Sequence, residues 1–339
     1  MQTSPAIRRI PRQWFFLLAL LVILATFPPE LWFLLANRIT DFAAIFLGIF
    51  VEAVPFLLFG TLASGLVEVF FSRDMLLRLI PKRALPGTIL GSLLGIIFPV
   101  CECGTVPLTR RMFRKGLPLS AGVAFLLAAP VINPIVFFAT ASAFGFGLML
   151  ALRFILTFGI AVSTGMVFST AKSPLEALKP VSTIEYIPAN LQIAAPLQKP
   201  PLAERWRNVL TIALEEFFEM GRYLVIGAAL AAAMQTFVPQ SLLVAIGQGP
   251  IVSILAMMAL AVILSICSTV DSFVALGFVG IFSPGAILAF LVFGPMVDIK
   301  AVLMYARVFE LRPLIYLIVI PALLSLLAGI IVNYTLPGL

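Results

Sequence analysis

Apolar runs long enough to cross a membrane recur along nearly the whole 339-residue chain, and no other feature constrains its fold as tightly. Many approach or exceed the roughly 20 residues that span the hydrocarbon region of a bilayer. Lipid offers the backbone no hydrogen-bond partners, so such a chain must satisfy its amides internally, in helices or in a closed barrel. Strand-like alternation is absent, which leaves helices. Only 11% of the residues are charged, against about 25% in an ordinary soluble domain. A single soluble domain around a large core is thereby excluded.

The expected order is as follows. A first span covers 14–36, with a point of weakness at Pro28-Pro29. The arginines before it (Arg8, Arg9, Arg12) resemble the start of a signal peptide. No small-residue cleavage site stands out in the twenties, so a retained span that starts inside is the reading adopted. A second span covers 41–71, and a basic stretch with Arg73, Arg78, Lys82 and Arg83 follows. Apolar arms then flank Cys101-Glu102-Cys103-Gly104, and apolar segments follow at 117–144 and 145–170. Residues 171–206 carry six prolines and charges of both signs, the composition of a solvent-exposed linker. Apolar segments resume at 208–238, 250–267, 269–283, 284–306 and 313–334.

The second set resembles the first. Glu52 and Gly60 match Glu219 and Gly227; Cys101-Glu102-Cys103 matches Cys267-Ser268-Thr269; Pro130-Val131-Ile132-Asn133 matches Pro295-Met296-Val297-Asp298. The register is nearly constant, which argues for an internal duplication. The expected organisation is an N-terminal span at 1–40, a first membrane repeat at 41–170, a cytoplasmic linker at 171–206 and a second repeat at 207–339.

Charge sets the expected topology. The arms at 86–115 and 250–283 are too short for spans and suit re-entrant broken hairpins buried in protein. Each repeat then has three spans and one hairpin, and the odd number inverts the second repeat. With the N-terminus cytoplasmic, eighteen of the twenty-two lysines and arginines fall inside, as the positive-inside rule requires. The net charge of +7 thus reflects membrane orientation and not a nucleic-acid surface. Inverted repeats with broken helices and a midplane site are a recurrent plan of secondary transporters. The fold class expected is therefore an all-α, polytopic membrane protein of two inverted repeats plus one extra N-terminal span.

The residues that could carry chemistry sit at the breaks. Pro99, Gly104 and Pro107 surround Cys101 and Cys103, so the backbone is expected to unwind there and aim thiols at a cavity. Two thiols one residue apart do not have the spacing of a structural zinc site. With Cys267 they could hold a soft, thiophilic ion, or the three could simply pack as small apolar groups. Histidine is absent, which removes the commonest transition-metal ligand. Glu102, Asp271, Asp298 and Lys300 are costly in hydrocarbon unless paired, protonated or facing water; Asp298 and Lys300 could pair with each other. Glu52 and Glu219 either join them or lie near the interface. Asn133 and Asp298 follow helix-breaking prolines at corresponding places. Ser268, Thr269 and Ser272 offer hydroxyls where the first hairpin has thiols. Walker, nucleotide-loop and metalloprotease motifs are absent.

Pro99-Val100-Cys101-Glu102-Cys103-Gly104-Thr105-Val106-Pro107, then Arg110-Arg111, then Ala128-Ala129-Pro130-Val131-Ile132-Asn133-Pro134, resembles the bacterial predicted-permease family that includes the ArsP-type organoarsenical efflux permeases. That resemblance covers most of the chain. It implies a cytoplasmic-membrane permease, with export of trivalent methylated arsenicals through thiols in the ArsP branch; Cys101, Cys103 and Cys267 are the candidates here. Expected partners are the bilayer, a small-molecule or ion substrate, and either further copies or a partner subunit. No cofactor and no enzymatic reaction are expected.

Overall fold

A computed structural model of the chain describes residues 29–71, 75, 81, 83–98, 100–170, 177–179, 201–237 and 249–336. The expected span at 14–36 and its basic leader lie mostly outside the described residues, as do Pro99 and most of the linker. Two compact units emerge, Met1–Ala44 and Ile45–Leu339. In the first, the described residues are the opening turns of a helix. All site residues discussed below belong to the second.

Among the described residues, twelve helices follow one another: α1 (Pro29–Phe70), α2 (Ala84–Ile97), α3 (Glu102–Arg114), α4 (Leu119–Ala128), α5 (Pro134–Phe144), α6 (Leu148–Phe168), α7 (Leu202–Phe237), α8 (Val252–Leu264), α9 (Asp271–Leu276), α10 (Pro284–Phe293), α11 (Ile299–Val308) and α12 (Leu311–Thr335). The protein is all-α and polytopic. Four helices, within α1, α6, α7 and α12, are long and apolar enough to cross a membrane. The others are short. Even the 14-residue α2 reaches only about 21 Å at 1.5 Å per residue, less than the roughly 30 Å of hydrocarbon.

The short helices come in pairs, α2–α3, α4–α5, α8–α9 and α10–α11, each pair interrupted within the apolar sequence. In both halves the packing repeats. Helix α2 lies along α4, and α4 along α6; helix α8 lies along α10, and α10 along α12. Close approach depends on small residues: a Cβ on Gly285 would stand 2.1 Å from the Gly329 carbonyl oxygen. Against α3, a Cβ on Gly60 would stand 2.2 Å from the Gly104 Cα.

Three expectations change in detail. Helix α1 runs without interruption through residue 40, where a boundary was expected, because nothing between Leu31 and Asp41 is proline or glycine. The second hairpin's outgoing arm ends at Leu276, not 283; Gly277 follows, and Gly280 turns the chain with φ +84°. The linker is not wholly exposed. Lys179 N–H donates to the Val308 carbonyl and Glu310 N–H to the Ala177 carbonyl, so this piece is pinned beside the start of α12, with Ala177 buried.

Gly60→Val drives a branched side chain into backbone, and overpacking of this kind costs about 1–3 kcal/mol or more. A clearly lowered melting temperature in detergent is expected, whereas Gly159→Ala, with open space around it, should melt like the parent.

Candidate functional site

The four interruptions are built as two matched pairs. In the first hairpin, the Cys101 carbonyl accepts the N–H groups of Gly104 and Thr105, both at 3.0 Å. In the second, the Cys267 carbonyl accepts those of Val270 and Asp271, also at 3.0 Å. In the first broken helix, Asn133 caps α5, its Oδ1 accepting from Val136 N–H at 2.9 Å. In the second, Asp298 caps α11, its Oδ1 accepting from Ala301 N–H at 2.6 Å. Side-chain capping satisfies the donors that a helix start leaves open. Asn133 and Asp298 thus terminate helices as well as bringing polarity to depth.

Unwinding was expected over 101–104, but among the described residues the irregular backbone lies at Phe98, Val100 and Cys101, and Glu102, Cys103 and Gly104 are helical. The Cys101 carbonyl starts the helix by taking two donors, so it is not free. Pro107 lies inside α3 and has no N–H to offer, which frees the Cys103 carbonyl instead. In the second hairpin, α8 ends at Ser265, held in the left-handed region at φ 49°. Gln235 from α7 donates to the Leu264 carbonyl at 2.7 Å, satisfying the helix end.

These turns bring three donors together. The Cys101 thiol, a Glu102 carboxylate oxygen and the Cys267 thiol all lie within 4.8 Å of one another, and all three residues are buried. Cys103 is also buried and its thiol interacts with that of Cys101, but it falls outside this group. A small cavity of about 10 Å³ is lined by Cys101, Cys267, Asn133, Ser268 and Thr269, among others. Ser268 donates its hydroxyl to the Pro130 carbonyl at 2.6 Å, tying the second hairpin to the first broken helix.

Charge is arranged around this centre in two separate clusters. In the first, Lys300 is 2% exposed, with its Nζ 3.4 Å from Glu102 Oε1 and 3.5 Å from Asp298 Oδ2. Ser265 donates to Asp298 Oδ2 at 2.7 Å. Glu52 from α1 lies against the Cys267 thiol and in the field of Lys300. Among the described residues, one oxygen of Glu52 and one of Glu102 are buried with no hydrogen-bond partner. So the expected Asp298–Lys300 pairing exists, but Lys300 also bridges to the thiol-bearing hairpin.

The second cluster holds Asp271, which the structure does not bring to the thiols. Arg153 from α6, fully buried, donates to Asp271 Oδ2 at 2.6 Å, to Ser272 Oγ at 2.6 Å and to Thr140 Oγ1 at 2.9 Å. Sequence reasoning passed over Arg153; a lone arginine inside the apolar run 148–168 was the available signal. Ser272 is likewise consumed here. Glu219, the counterpart of Glu52, does something different: it accepts from Arg110 at 2.8 Å and Arg307 at 3.4 Å. Arg111 pairs with Glu216, and Lys115 donates to the Glu68 and Phe71 carbonyls. These pairs gather α3 and the end of α11 on α7, and Lys115 ties the end of α3 to that of α1.

Comparison with known proteins agrees with this architecture. The model of the family described as ArsP_1, predicted permease, matches residues 38–334. The UPF0718 protein YcgR of Bacillus subtilis (strain 168) is 42% identical over 287 residues, 84% of this chain and 94% of the relative. A protein of Streptococcus mutans serotype c called a putative two-component membrane permease complex subunit is 35% identical over 305 residues, 88% of this chain and 97% of the relative. The UPF0718 protein YraQ of Escherichia coli (strain K12) is 33% identical over 95 residues, 28% of this chain and 26% of the relative. No solved structure matches.

Removing one partner of a buried ion pair strands a charge and costs about 3–5 kcal/mol. Arg153→Met should therefore lower the melting temperature sharply in detergent, and Arg153→Met combined with Asp271→Asn should recover much of the loss. Equal destabilisation in the single and double variants would mean that the pair itself matters little.

Proposed function

The chain belongs to the predicted-permease family whose model spans residues 38–334, and from that membership we propose a secondary transporter of the cytoplasmic membrane that exports a thiophilic metalloid or soft-metal species, trivalent organoarsenicals among them. The observation that carries this reading is the meeting of Cys101 and Cys267, both buried and from two different broken hairpins, at one small cavity. Cys103, in contact with Cys101, supplies a third thiol. Soft sulfur donors select thiophilic species over hard cations.

Transport proceeds by alternating exposure of this centre to the two sides. The matched turns support two inverted repeats, each with three spans and a re-entrant hairpin. One hairpin enters from each side, and a shift of one repeat against the other opens or closes the cavity. The gathered positive ends of α3 and α11 face the cytoplasm in this reading, as does the N-terminus. Asp271 is occupied by Arg153, which leaves Glu102 as the carboxylate best placed to exchange a proton. No step of this cycle is catalytic.

A second reading is favoured by one relative's description as a subunit of a two-component membrane permease complex. Here the chain supplies the membrane path, and a partner subunit completes the transporter for another small solute. Transport into liposomes by the purified chain alone separates the two: activity supports the first reading, and activity only with a co-purified subunit supports the second.

Cys101→Ser or Cys267→Ser should lower the host's tolerance of trivalent methylarsenicals at least tenfold, read as growth inhibition in a sensitive strain expressing each variant at equal level. Unchanged tolerance in both removes the thiol reading. For topology, a cysteine placed at Gly249 should react with an impermeant maleimide in intact cells, whereas one placed at Arg205 should react only after the membrane is opened.

A further inference from the structure

The two thiols do not stand alone. Glu102 is grouped with Cys101 and Cys267, Glu52 interacts with the Cys267 thiol, and each glutamate keeps one oxygen buried and without a hydrogen-bond partner among the described residues: Oε1 of Glu52 and Oε2 of Glu102. A buried carboxylate oxygen left empty costs free energy, and in lipid no water stands ready to fill it. Glu102 is 2% exposed and already belongs to the three-donor group with Cys101 and Cys267. Glu52 lies against the Cys267 thiol. The four donors come from α1, the first hairpin and the second hairpin.

Resting on the thiol reading above and narrowing it, we infer that Cys101, Cys267, Glu102 and Glu52 form a four-donor site for a soft or borderline divalent cation such as Cd²⁺ or Zn²⁺, carried as substrate. Three observations argue for a dication over a neutral molecule. First, two thiols and two carboxylates are a donor set that divalent zinc accepts in tetrahedral geometry. Tetrahedral bonds of ordinary length put donors roughly 3.3–3.8 Å apart; the three grouped donors, within 4.8 Å of one another, close by about an ångström at most, and Glu52, outside that group, moves in from its place beside Cys267. Second, one ammonium, Lys300, bridges Glu102 and Asp298 and Glu52 lies in its field; this is an excess of acidic groups that a dication suits and a neutral arsenical does not. Third, the cavity that Cys101 and Cys267 line is about 10 Å³, the size of one water molecule; it admits a bare ion beside the two thiols, with Glu102 and Glu52 turning in to complete the donor set, whereas a methylated arsenical needs the hairpins to part. Each thiol releases its proton to solvent as it ligates the ion.

Lys300 takes a defined part in this arrangement. It bonds Glu102 through Oε1 and leaves Oε2 open. The ammonium therefore holds the ligand carboxylate in place before the ion arrives, and Asp298 remains its partner afterwards.

The test uses the purified full-length chain in detergent, titrated with Cd²⁺ and, separately, with phenylarsine oxide. The expected result is one Cd²⁺ per chain, with an ultraviolet sulfur-to-cadmium band whose intensity corresponds to two thiolates. Glu52→Gln, which breaks no ion pair, should lower the ratio of Cd²⁺ affinity to phenylarsine oxide affinity at least tenfold. Glu102→Asp, which retains a carboxylate for Lys300, should lower the same ratio, and both variants are compared only where their melting temperatures match the parent. A band with the intensity of three thiolates, or a ratio unmoved in both variants, overturns the four-donor site. Tight Cd²⁺ binding of the expected form without any arsenical binding would support this site while overturning the organoarsenical substrate. Binding of neither probe overturns both.

Discussion

A broken helix inside hydrocarbon must have its loose backbone groups answered from within the protein, and this requirement organises the molecule. Each of the four interruptions meets it locally. The Cys101 and Cys267 carbonyls each take two amides; Asn133 and Asp298 cap the helices that follow them. What the turns cannot answer for themselves comes from neighbours, as when Gln235 serves the Leu264 carbonyl and Ser268 serves that of Pro130. The breaks therefore cannot lie on the lipid surface. They have to be buried against one another, and the groups between them become the centre of the protein.

Burial of charge follows the same logic. Lys300, Glu102 and Asp298 on one side, and Arg153 and Asp271 on the other, are each held by opposite charge and hydroxyls. Such pairs contribute little net stability, because desolvation offsets attraction, but loss of one member is severe. Their value here is positional. Arg153 ties α6 to α9, with Thr140 of α5 in the same network, while Lys300 ties α11 to α3. A third set, Arg110, Arg111 and Arg307 on Glu216 and Glu219, gathers helix ends on α7. The two interior clusters link different pairs of helices, and both hold the second hairpin, through Ser265 in one and through Ser268 and Asp271 in the other.

The matched elements differ in what their side chains touch. Glu52 sits by the thiols, while its counterpart Glu219 holds a pair of arginines. Cys101 has a thiol counterpart in Cys267, whereas Glu102 is matched by Ser268, whose hydroxyl is spent on a backbone carbonyl. The arrangement is therefore asymmetric, with carboxylates on one side and scaffold hydroxyls on the other.

Much of this was legible in the chain itself. Apolar length and the scarcity of charge dictate an all-helical membrane protein, because only closed backbone hydrogen bonding survives in lipid. Proline and glycine marked the breaks to within about three residues, since their backbone restrictions are local; the error at 101–104 arose because a carbonyl can start a helix just after a break. Which charges meet was not legible. Glu52 and Cys267 are far apart in sequence, and only packing brings them together. Arg153 and Asp271 meet for the same reason. Local preference decides where a helix stops; the partner across the interior is decided by how the stopped helices pack, and spacing along one chain carries no record of that.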